Sequence, residues 1–235
     1  MPKRIRRTPK TAITTTHPAP LVTPAAPLGT EHITSDDVMM PRLGLAQAIS
    51  NEVNKQHADY IDGLGVGDFW NTVTGKIYGP GPMTFSILVA HPPRAIEFAP
   101  LSDGGGVVDP NVPLTDPRMA FGEDGSPPQA TKFYDYVLWL HESDEMIAMS
   151  LARSAIKAAK SLNGLIRMRG TAVFTGRYTV TSVQKTSSHG NYESWRFRNA
   201  SPGRVTEAQA VTFAEMHAAL KGTAIPPEIV VPETE

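Results

Sequence analysis

The sequence predicts an α+β domain built on a curved, mainly antiparallel sheet or an OB-like barrel, with two helices. Short β-branched and aromatic stretches set between Gly-Pro and polar turns carry the sheet, above all residues 83–90 and 132–140. Apolar spacing turns helical in two places, residues 152–168 and 206–220. Forty per cent hydrophobic content over 235 residues is enough for one core that needs no staples. The 21 prolines and 19 glycines are more than an ordinary domain carries, and many of the prolines sit at the two ends or in one central stretch, so irregular segments are expected around a compact middle.

Three parts follow from that distribution. Residues 1–37 hold Lys3, Arg4, Arg6, Arg7 and Lys10, then a Thr, Pro and Ala run without charge until Glu31. Such a segment buries too little apolar surface to offset its ordering entropy, which predicts a disordered arm, either solvated or lying on nucleic acid or between subunits. Residues 38–222 form the single α+β domain. Residues 223–235 form an acidic, proline-rich tail.

Within the domain, residues 41–53 read as a short extended piece and a polar turn. The glycines of residues 63–67 superficially resemble a phosphate loop, but no strand precedes them and no clear helix follows. Residues 71–78 and 83–90 read as two strands joined by the turn Gly79-Pro80-Gly81-Pro82, and 94–99 as a third. Residues 101–131, rich in proline and acid with three successive glycines, read as one long loop. Residues 132–140 are apolar on both faces, which suits a central strand. Residues 146–151 fit either a returning strand or an early helix start.

In the first helix Ala155, Ala159, Leu162 and Ile166 make one apolar stripe, and Arg153, Lys157, Lys160 and Arg167 make a basic one. A hairpin follows, residues 171–183 and 192–198, turning at 187–191. Alternation puts Trp195 and Phe197 on one face and Arg196 and Arg198 on the other, aromatics inward. The last helix has Thr206 as N-cap, Ala210, Phe213, Ala214 and Leu220 inward, and Gly222 as its stop.

Charge is sorted along the chain. Residues 146–204 contain Arg153, Lys157, Lys160, Arg167, Arg169, Arg177, Lys185, Arg196, Arg198 and Arg204 against Glu193 alone. Residues 31–145 reverse the balance, so a net charge of −1 conceals a basic half. Clustered Lys and Arg are the electrostatic footprint of a polyanion partner.

Catalytic and metal chemistry find little support. The chain has no cysteine, so no disulfide and no thiolate metal site. His141-Glu142-Ser143-Asp144-Glu145 lacks a second histidine at helical spacing and reads as a charged turn. No Gly-x-Ser-x-Gly elbow is present. No enzyme, cofactor or metal is expected. No apolar run approaches the ~18 residues of a membrane span, and the basic start lacks the apolar stretch of a secretory signal. A soluble, non-secreted protein without a membrane partner is the expectation.

Pro41-Arg42-Leu43-Gly44-Leu45-Ala46-Gln47 with Ser50, Glu52 and Val53, followed by Gly67-Asp68-Phe69-Trp70-Asn71 with Thr74-Gly75, is similar to the motifs of a loosely defined group of bacteriophage-encoded proteins. The resemblance covers about residues 40–220, including Gly190-Asn191-Tyr192. The loop at 101–131 and the basic arm depart from the group. It implies a phage early-region protein, a single-stranded DNA-binding protein on an OB-like barrel.

Residues and resemblance together predict a phage protein that binds single-stranded nucleic acid without sequence specificity, in replication or recombination. Single-stranded DNA is the expected partner, with RNA left open. Arg153, Lys157, Lys160, Arg167, Arg169, Arg177, Lys185, Arg196 and Arg198 would meet phosphates. Tyr178 and Tyr192 would stack on bases. A homo-oligomer and phage partners for the C-terminal tail are further expectations, with the infected host's cytoplasm as the location. The alternative is a virion structural or assembly protein, located in the virion, whose arm and loops make subunit contacts and whose opposed charges suit head-to-tail packing.

Overall fold

The computed structural model describes residues 39–188 and 190–222, and the expected basic arm and acidic tail lie outside them. In order come β1 (Leu43–Leu45), β2 (Phe69–Asn71), β3 (Ile77–Gly79), β4 (Met83–Ala90), β5 (Arg94–Phe98), β6 (Val107–Asp109), β7 (Ala130–Leu140), β8 (Glu145–Ala152), α1 (Ile156–Arg169), β9 (Gly176–Ser187), β10 (Gly190–Arg204) and α2 (Glu207–Leu220). The fold is α+β, and every ladder is antiparallel. A seven-stranded and a three-stranded sheet share the strands, and neither closes, so the open sheet replaces the barrel.

β7 is the centre, as its two apolar faces require. β8 pairs along one edge, from Phe133 opposite Ala152 to Leu140 opposite Glu145. β4 and then β5 pair along the other edge, Ala90 opposite Tyr136 and Arg94 opposite Phe133. His91-Pro92-Pro93 makes the break between them, because proline has no N–H for a ladder. β9 pairs with β4, and β10 forms the sheet's edge beyond β9.

Alternation along β7 divides the core. Tyr136, Leu138 and Leu140 pack with Phe85, Ile87, Ile147, Met149 and the α1 residues Ala158, Ala159 and Leu162. Val137, facing oppositely, packs with Leu88, Val89, Ala148 and Phe213 of α2, and half-buried Trp139 lies against this group. A register shift between Ile87 and Val89 sends both Leu88 and Val89 to the second side.

The ambiguous residues after the 142–145 turn form strand β8. A 3-10 turn, Arg153–Ala155, then leads into α1, which ends at Gly170 with φ 64°, a left-handed position that glycine takes cheaply. Thr206 caps α2 as expected, and Gln209 completes a capping box.

Two expectations are corrected. Residues 71–90 do not form a two-strand hairpin. Asn71 Oδ1 accepts from the backbone N–H groups of Val73 and Thr74, each at 3.0 Å, and Gly75 takes φ 69°, so the chain reverses early and β3 pairs with β2. Nor is 101–131 one irregular loop. It contains β6, which pairs with β5, and a 3-10 turn, Pro117–Met119. Arg118 sits among its carboxylates, donating to Glu97 at 2.6 Å, Asp109 at 3.1 Å and Asp116 at 2.9 Å. Buried Val112 joins Ala95 and Ala130 beneath.

Candidate nucleic-acid interface

The basic residues of α1 are exposed because its apolar stripe is committed to the core. Lys157, Lys160 and Arg167 fall at spacings of three and seven and stand outside the Ala158, Ala159 and Leu162 surface. Arg153 is exposed in the preceding 3-10 turn, at φ 47°. No acidic residue occupies the first turn of α1, and its N-cap, Ala155, offers no side-chain acceptor. Cations therefore crowd the positive end of the helix dipole, where an anion is the favoured neighbour.

The hairpin sorts its side chains by register. Trp195 stands opposite Ser182 and Phe197 opposite Val180, on one side of the ladder. Arg196 opposite Thr181, Arg198 opposite Thr179 and Tyr192 opposite Lys185 take the other, with Arg177. The aromatics go inward as predicted: Trp195 lies 5.0 Å from Phe69 between ring centroids, and Phe197 6.0 Å from Phe85. Glu193, the acid of this half, shares the Trp195 side. Its Oε2 accepts from Ser182 Oγ at 2.9 Å, and its backbone N–H and C=O pair with the amide of Gln47. Its carboxylate thus opposes none of the outward arginines.

The side chains of Arg153, Lys157, Lys160, Arg167, Lys185, Arg196 and Arg198 have no ion pair or hydrogen bond among the described residues. One open cleft of about 200 Å³ is lined by Lys157, Ala158, Ser161, Val183, Lys185, Trp195, Arg196 and Phe197. No carboxylate lines it. Neither this cleft nor the place of Trp195 in it could be read from spacing, since three separate elements build it.

Three expected contact residues have different places. Tyr178 is fully buried, because it shares the inward side with Val180, and so offers no ring face to a base. The Arg169 guanidinium lies 4.7 Å from its ring centroid and donates to Asn199 Oδ1 at 2.8 Å and to the carbonyls of Gly203 and Arg177. Arg169 is thereby a fastener of the helix end, with its donors taken up inside the protein. Arg177 is half-buried, its Nε shielded from solvent and without a partner. Burial first, and then the Arg177 charge, hold the His141 imidazole below its usual pKa, while His141 Nε2 lies 2.9 Å from Ser86 Oγ. Tyr192 remains half-buried on the side of the free cations.

Among the described residues no cluster of His, Asp and Glu suits a metal ion, and no helix is long and apolar enough to cross a membrane. Residues 12–224 match the family model of the Pam3 phage gp34-like proteins. No curated protein and no solved structure matches the chain. With well over half its length covered, the chain belongs to the Pam3 phage gp34-like family, and the phage-encoded group implied by its opening motifs is borne out.

Proposed function

We propose that this phage-family protein binds single-stranded nucleic acid without sequence preference during replication or recombination, and that it is not an enzyme. The observation that carries the reading is the set of cations on α1, β9 and β10 that have no ion pair among the described residues, three of which line a cleft without a carboxylate. Like charges held together without internal partners repel one another, and phosphates relieve that repulsion while releasing their own counterions. Half-buried Trp195 in the same cleft suits an unpaired base, whose ring face a duplex hides.

The test is a titration with single-stranded and duplex oligonucleotides across salt. Neutralising about six phosphates gives a slope of log affinity against log salt near −4, so a rise from ~50 to ~200 mM weakens binding by two to three orders of magnitude. Lys157→Glu with Lys160→Glu flattens the slope without unfolding the chain, since both residues are exposed. An absence of binding at low salt refutes the proposal. The second reading, a virion or assembly subunit, then gains from the apolar side chains exposed on the 101–129 segment, Val108 at 59% and Phe121 at 72%. Particles would then contain the protein, rather than the host cytoplasm alone.

A further inference from the structure

We infer that the cleft between α1, β9 and β10 is an anchor subsite that holds one nucleotide of a bound strand, its phosphate among Lys157, Lys185 and Arg196 and its base against Trp195. This rests on the nucleic-acid reading above and goes further in assigning the base contact to one residue. The three cations come from three different elements, and all three residues line the cleft, whose lining holds no acid. The Glu193 carboxylate accepts from Ser182 and does not line the cleft. Ser161, exposed on the cleft wall, adds a hydroxyl for phosphate or sugar.

The base platform is packed against other rings. Trp195 is wedged against Phe69 at 5.0 Å and runs nearly parallel to Phe197, 6.2 Å away at 20°. An aromatic fixed by its neighbours loses little entropy on stacking. At about 200 Å³ the cleft is smaller than the ~300–1,000 Å³ of a drug-sized ligand site. One planar base and one phosphate match that space and that lining. The neighbouring strand would run over the exposed cations beyond the cleft, Lys160 and Arg198.

Anisotropy titrations of the full chain test this with three probes: an oligothymidylate of about 15 nucleotides, an abasic oligonucleotide of the same length, and inorganic phosphate as competitor. The oligothymidylate is expected to bind about tenfold tighter than the abasic strand, the difference being one stacked base. Trp195→Leu removes that difference, whereas Lys185→Glu weakens both strands. Because Trp195→Leu also disturbs the Phe69 contact, Ser161→Leu provides a second variant that fills the cleft from an exposed position with a side chain that cannot stack, and it is likewise expected to abolish the preference. Equal affinity of the native protein for both strands overturns the anchor while leaving backbone binding standing. So does a tenfold preference that survives Ser161→Leu. Displacement of both strands by millimolar phosphate shows a free-anion site and overturns it too. Failure of every strand to bind overturns the wider proposal with it.

Discussion

Arg169 ties the end of α1 to both strands of the hairpin that follows. Its guanidinium reaches the carbonyls of Gly203 and Arg177 and Asn199 Oδ1, and lies over the buried Tyr178 ring. Arg169→Ala removes the charged donor from three acceptors, and charged hydrogen bonds are worth about 1.5–3 kcal/mol each. The variant is expected to lose about 2–3 kcal/mol of stability, read as a lower urea midpoint at unchanged slope. Its affinity for single-stranded oligonucleotide should stay within about twofold, since those donors face inward. A tenfold weaker complex with native stability would return Arg169 to the binding surface. By composition Arg169 and Arg167 are indistinguishable; Arg167 is exposed, and the difference arises where the helix meets β9 and β10.

At the scale of elements, the 101–129 segment depends on a charge clamp. Arg118 holds the Asp116 carboxyl well down, to about 2, through direct hydrogen bonds, and also joins Glu97 on β5 to Asp109 on β6. In Arg118→Ala the three carboxylates repel one another with nothing between them. The expected result is faster proteolytic cleavage within 101–129 and little change in the global thermal midpoint, because Val112 and Ala130 form a small cluster apart from the main cores. Unchanged cleavage would show that the apolar contacts alone hold the segment. The helices and the central strand β7 were legible because periodicity and capping are local signals, as Thr206 and Gln209 illustrate. The partner of β3 was not. That depended on Asn71 closing an early turn, a side-chain to backbone competition that a run of β-branched residues conceals.

For the molecule as a whole, a net charge of −1 is a poor guide to its partners. Near pH 7.5 the native protein is expected to be retained on heparin and to elute with salt, and Lys185→Glu with Arg196→Glu should send it to the flow-through. Equal elution of both would place the polyanion contact elsewhere. The basic half, the α+β class, the inward turn of Trp195 and Phe197 and the core stripe of α1 were all present in the order of residues, because hydrophobic period and charge count survive any arrangement of the elements. The open sheet, the cleft that Lys157, Lys185 and Arg196 help to line, and the separation of Arg169 and Tyr178 from the exposed cations required the packed chain. Each depends on contacts between segments far apart in sequence, and a side chain's surroundings there are set by strand register and helix placement rather than by its neighbours along the chain.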